Sequence, residues 1–147
     1  LAEGCVATYL HPPYYAGEVG AAFIRAIEGA ATLRTLGSGS MDAMAVAEGL
    51  PAAGLVLISY PLHPPGKPDR LRVEHLPQLD VPCLFVTGTR DPFGTPEELE
   101  AATATIPGPV THVWIEGGRH DLKGADPQIA AAVVEWIDAW RPAAPLS

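Results

Sequence analysis

The run Leu55-Val56-Leu57-Ile58 places four apolar residues in a row with no polar residue between them. A strand with one wet face alternates apolar and polar side chains. An unbroken apolar run bounded by turn residues instead reads as a strand covered on both faces, as in a parallel sheet flanked by helices. Similar β-rich runs recur at Cys5–Leu10, Thr32–Leu36, Cys83–Thr87 and Val110–Ile115. Helix-like stretches separate them. One spans about 17–30, with Val19, Phe23, Ile27 and Ala30 on one stripe, and an alanine-rich one spans about 41–49. A short helical stretch is expected near Leu71–Leu76. Another helix opens at Thr95-Pro96-Glu97-Glu98, a capping box with Pro at the first helical position. The last opens with Asp126 as N-cap and Pro127 at the first position, and its stripe is Ile129, Val133, Trp136, Ile137 and Trp140. Strands alternating with helices require crossover connections, so the expected fold class is α/β, a mostly parallel sheet with helices on both faces.

Composition narrows the function. Nine Lys and Arg stand against 17 Asp and Glu, a formal charge of −8, which argues against a general nucleic-acid binder and against docking on anionic lipid. No apolar run reaches the ~18–20 residues of a membrane span, and no basic segment precedes an apolar stretch as in a signal peptide. Two cysteines, Cys5 and Cys83, cannot build a disulfide framework. The expected setting is therefore a reducing cytoplasm. The five histidines are scattered, with no paired spacing on a helix, so no metal site is expected. Gly37–Gly39 lacks the Gly-Lys-Ser/Thr that closes a phosphate loop, and no cofactor is expected.

In an open parallel sheet, functional residues lie beyond the carboxyl ends of the strands. Ser40 follows the second strand at a strand-to-helix turn, Asp91 follows the fourth, and His120 follows the fifth among glycines. Each alone has an ordinary reading: Ser40 as a helix N-cap, Asp91 as a turn residue, His120 as an exposed loop histidine. Together they stand in the chain order Ser, Asp, His of a strand-end triad. A serine hydroxyl is a weak nucleophile until a base takes its proton, and a carboxylate can hold that base in the right tautomer. The first amides of the helix after Ser40, Met41 foremost, would face a developing oxyanion.

The segments Tyr60-Pro61-Leu62-His63-Pro64-Pro65-Gly66-Lys67-Pro68 and Gly88-Thr89-Arg90-Asp91-Pro92-Phe93-Gly94-Thr95 closely resemble the dienelactone-hydrolase-like branch of the α/β-hydrolases, which includes small bacterial and testis-expressed hydrolase-like proteins. The resemblance is strong from Gly54 to the last helix and thinner before it. It implies an α/β-hydrolase fold, with Ser40, Asp91 and His120 as triad and the 60–67 loop bordering the pocket. The family's elbow reads Gly-Gly-Lys/Arg-Ser-Met-Gly-Gly; here Gly37-Ser38-Gly39-Ser40-Met41-Asp42-Ala43 occupies those positions. Asp42 departs most, because a carboxylate there would repel a developing oxyanion. The resemblance also implies an earlier strand and Gly-rich turn, so residues 1–147 are expected to form a single, N-terminally incomplete α/β-hydrolase-like domain. The missing strand would lie between Cys5–Leu10 and Thr32–Leu36, and the first of these is expected either to shift across to pair with the second or to leave a groove of unpaired backbone groups there.

Two functions follow as expectations. One is a serine hydrolase acting on an ester or similar acyl bond of a small-molecule substrate, without cofactor, nucleic acid or membrane. The other is a catalytically impaired hydrolase-like scaffold used for binding, which Asp42 favours. Oligomeric state is not readable from the sequence.

Overall fold

The computed structural model describes residues 6–9, 33–35 and 54–140, with the side chains of residues 6–9, 33–35, 137 and 140 left aside. Five parallel strands form one sheet: β1 (Val6–Tyr9), β2 (Leu33–Thr35), β3 (Gly54–Ile58), β4 (Cys83–Gly88) and β5 (Val110–Ile115). Their order across the sheet is β2-β1-β3-β4-β5. Two α-helices are described, α1 (Pro96–Thr103) and α2 (Asp126–Trp140).

The continuous apolar runs become the central strands. All five residues of β3 and all six of β4 are buried, as a strand covered on both sides must be. Alternate residues divide between two cores. Val56, Ile58, Leu84, Val86 and Ile115 pack against Leu122, Ile129, Val133 and Trp136, on and just before α2. Leu55, Leu57, Cys83 and Phe85 pack on the other face against Leu99 of α1, Ile106 and the loop residues Tyr60, Leu62, Leu76 and Leu79. Each fully buried Leu, Ile or Val contributes about 1.5–3 kcal/mol relative to exposure, so the two layers hold β3 and β4 as the rigid centre of the sheet.

α1 begins as its sequence dictates. The Thr95 hydroxyl accepts from the Glu98 amide at 3.1 Å, and Glu98 Oε1 accepts from the Thr95 amide at 2.9 Å. α2 starts one residue earlier than expected. The Ile129 amide donates to the Ala125 carbonyl at 3.0 Å, so Ala125 is the cap and Asp126 and Pro127 are the first two helical residues.

One expectation is corrected here. No α-helix forms over 71–76; a single 3-10 turn covers Leu76–Gln78. The backbone of Arg72 is engaged elsewhere: its amide donates to the Leu62 carbonyl at 2.8 Å and its carbonyl accepts from the Tyr60 hydroxyl at 2.8 Å. The expected pairing of the first two strands is present: β1 pairs with β2 (Val6↔Leu33) and, on its other side, with β3 (Val6↔Gly54). β1 therefore meets β2 with no gap and stands between β2 and β3. Pairing on both sides satisfies both ladders of β1, which a gap would leave bare.

Candidate active site

Asp91 and His120 reach each other because their strands are neighbours in register. β4 and β5 pair over six positions, from Cys83↔Val110 to Gly88↔Ile115. The loops beyond the strands stay joined. The Thr89 amide donates to the Ile115 carbonyl at 3.0 Å, the Arg90 amide to the Gly118 carbonyl at 2.8 Å, and the Gly117 amide to the Thr89 hydroxyl at 2.8 Å. Glycines make this approach possible. A Cβ on Gly88 would collide with the Gly118 carbonyl, and Gly117 has φ +73°, where a side chain is strained.

Asp91 is buried, 4 % exposed, at this junction. Its Oδ2 lies 2.9 Å from His120 Nδ1, with Oδ1 at 3.2 Å. Oδ1 also accepts the Phe93 amide at 2.8 Å. A carboxylate only accepts, so His120 Nδ1 carries the proton and Nε2 is the ring's basic position when the imidazole is neutral. The Phe93 ring stacks on His120, with centroids 4.0 Å apart and planes inclined by 27°.

A second buried histidine braces the site. His63, 5 % exposed, lies with Nδ1 2.8 Å from the Pro64 carbonyl and Nε2 3.1 Å from both Glu98 oxygens. Both partners are acceptors, so the arrangement is complete only when both ring nitrogens carry protons. The Pro64 carbonyl and the Glu98 carboxylate, with Asp91 nearby, outweigh burial and raise the His63 pKa. The Glu98 carboxyl is lowered by its bonds to the Thr95 amide and to His63. The His63 amide donates to the Phe93 carbonyl at 3.0 Å, tying loop 59–82 to the loop that carries Asp91.

Of the sequence-derived candidates, Asp91 and His120 are thus in contact. Ser40, Met41 and Asp42 lie outside the described residues, as does Cys5. The roles of His63, Glu98 and Phe93 carry no local sequence signal: Glu98 reads only as a capping residue, and its second bond depends on a loop 35 positions away. Ser59 also escapes the sequence reading. It directly follows β3 at φ +57°, a backbone conformation suited to a strand-end nucleophile, yet its hydroxyl is buried and, among the described residues, has no hydrogen-bond partner.

Cys83 is a free, buried thiol, pushed up to about 12 by burial, and so inert as a nucleophile at neutral pH. Among the described residues, no group of three or more His, Cys, Asp or Glu side chains could hold a metal ion, and no helix is long and apolar enough to cross a membrane.

A family model described as an alpha/beta hydrolase domain matches residues 19–138. A pimeloyl-[acyl-carrier protein] methyl ester esterase from Stenotrophomonas maltophilia is 34 % identical over 68 residues, which cover 46 % of this chain and 26 % of that protein. The chain thus spans about a quarter of the length of that relative. Among solved structures, the esterase Est1E from Butyrivibrio proteoclasticus superposes with a TM-score of 0.65 at 13 % identity, covering 92 % of this chain and 86 % of its own. An alpha-beta serine hydrolase homologue from Coxiella burnetii gives 0.62 at 14 %, covering 89 % and 83 %. A monoacylglycerol lipase from Paleococcus ferrophilus gives 0.65 at 13 %, covering 92 % and 94 %. At these identities the likeness establishes the α/β-hydrolase fold.

Proposed function

The chain belongs to the alpha/beta hydrolase domain family, and from that premise we propose that it is a serine hydrolase of an ester or related acyl bond in a small molecule, with Ser40 as nucleophile, His120 as base and Asp91 as the group that orients it. The observation that carries this reading is the 2.9 Å bond between His120 Nδ1 and the buried Asp91 carboxylate. It fixes the tautomer that leaves Nε2 to take the serine proton. In the reaction, His120 Nε2 removes the Ser40 proton as Oγ bonds to the acyl carbon. Asp91 stabilises the imidazolium, which protonates the departing alkoxide. Water then attacks the acyl-serine by the same proton route, releasing the acid and restoring Ser40. The Met41 amide is the oxyanion donor in this scheme.

Within the family we assign the chain to the dienelactone-hydrolase-like branch on residues 60–68 and 88–95. A reducing cytoplasmic setting accords with the free, buried Cys83 thiol.

Labelling by a serine-reactive fluorophosphonate tests the reading. The parent protein labels and hydrolyses p-nitrophenyl acetate, and Ser40→Ala does neither. Asp42, in place of a family glycine, favours the second reading, a hydrolase-like binding scaffold. An unlabelled parent, with Asp42→Gly equally unlabelled, would establish the scaffold in place of the enzyme.

A further inference from the structure

We infer that Phe93 is the positioning residue of the Asp91–His120 pair, an inference that rests on the hydrolase reading above. Three separate parts of this residue hold three different groups. Its amide donates to Asp91 Oδ1 at 2.8 Å, its carbonyl accepts from the His63 amide at 3.0 Å, and its ring lies against the His120 ring at 4.0 Å.

Nδ1 of His120 faces both Asp91 oxygens, at 2.9 Å and 3.2 Å, which holds one edge of the ring. A flat surface against the ring face opposes rotation about that edge, the motion that would carry Nε2 out of alignment, and the Phe93 ring supplies it at 4.0 Å with planes inclined by 27°. The His120 side chain is about a quarter exposed.

Phe93 is itself well anchored. Pro92 restricts the backbone before it. After it, Gly94 sits where a Cβ would come within 3.1 Å of Leu62 Cβ. The His63 that takes its carbonyl is locked by the Pro64 carbonyl and by Glu98, in the first turn of α1. The orientation of His120 thus traces back through Phe93 and His63 to the capped end of a helix. A misplacement of about 1 Å in a catalytic group can cost about 100-fold in rate, which sets the scale of the effect.

The test compares Phe93→Leu, which keeps apolar bulk and loses the flat face, with Phe93→Tyr, which keeps both. The readouts are kcat and KM on p-nitrophenyl acetate and the hydrogen-bonded Nδ1 proton of His120 by NMR. In Phe93→Leu, kcat falls about 10- to 100-fold, KM stays within about threefold of the parent, and the Nδ1 proton signal broadens or disappears. Phe93→Tyr restores the signal and most of kcat. A Phe93→Leu protein with parental kcat and a parental Nδ1 signal overturns the inference and leaves the hydrolase reading standing. A parent without turnover removes the hydrolase reading, and the NMR comparison alone then decides on positioning. The parent offers a check that no folding defect can obscure: the Phe93 ring current must displace the His120 ring protons upfield, and undisplaced protons refute the stacking on which the inference depends.

Discussion

Asp91→Asn replaces one carboxylate oxygen by an NH2 group and nothing else, and the surroundings dictate which oxygen. If the NH2 faced the Phe93 amide, two donors would meet where a 2.8 Å hydrogen bond now lies, leaving a buried N–H unpaired at a cost of about 1–3 kcal/mol. At 1.4 kcal/mol per factor of ten, that disfavours this orientation by about 5- to 150-fold. The NH2 group therefore turns to His120. It is a donor, so Nδ1 must become the acceptor and the ring proton moves to Nε2. The base then has no lone pair for the Ser40 proton, and the imidazolium has lost its counter-charge. The same replacement in a serine protease triad lowers kcat by about 10⁴, and a loss of about 10³–10⁴ is expected here, with the fold intact. The assay is p-nitrophenyl acetate hydrolysis, paired with nitrogen-15 NMR of His120 to read the tautomer. An active parent whose Asp91→Asn variant keeps its rate within tenfold, or whose His120 still carries its proton on Nδ1, would refute the argument.

Other perturbations follow from the geometry around the site. Gly88→Ala drives a methyl group into the Gly118 carbonyl and is expected to cost about 3 kcal/mol in urea denaturation, with parallel loss of esterase activity as the two loops part. Thr95→Ala removes the hydroxyl that accepts the Glu98 amide and should lower stability by about 1 kcal/mol in the same assay. The pKa of His63 is raised in the folded state, so its stabilising contribution is complete below its ordinary value of about 6.5 and disappears as the pH rises through the folded value. The difference in Tm between the parent and His63→Gln should accordingly be largest below about pH 6.5 and shrink on the alkaline side; a difference that grows with pH would contradict the assignment. Glu98, whose pKa is lowered, acts in the opposite sense. Its contribution is present above about 4.3 and fades as the pH falls through its folded value, so Glu98→Gln should lessen the acid lability of the parent.

The strands were legible because burial on both faces leaves an unmistakable apolar signature. Leu55 to Ile58 and the run beginning at Cys83 had no room for polar residues, and they became β3 and β4. The Thr95 capping box was legible because all its partners lie within four residues. Residues 71–76 were misread for the opposite reason. Their apolar spacing suits a helix, but the Tyr60 hydroxyl, twelve positions away, claims a carbonyl. The order of β1 and β2 was equally hidden. Both are short apolar runs, and the choice of which one stands against β3 is made by long-range pairing that no local preference records. In the site, the meeting of Asp91 and His120 could be anticipated because consecutive strand ends converge in a parallel sheet. The His63 bracing could not, since it joins a proline-rich loop to a helix end across 35 residues.

The hydrogen bonds that carry on past β4 and β5 have a bearing on how the protein loses its function. Loops of most enzymes fray before the body melts, and their amides exchange with solvent through small local openings. Here the amides of Thr89 and Arg90, just before Asp91, are bonded to carbonyls of the β5 side, and that of Gly117, before His120, to the Thr89 hydroxyl. To separate Asp91 from His120 is therefore to unzip the end of the β4–β5 ladder, whose β4 residues are all buried. Heat inactivation and global unfolding should coincide in a single transition, with slow deuterium uptake at Thr89 and Arg90 persisting until the whole sheet opens.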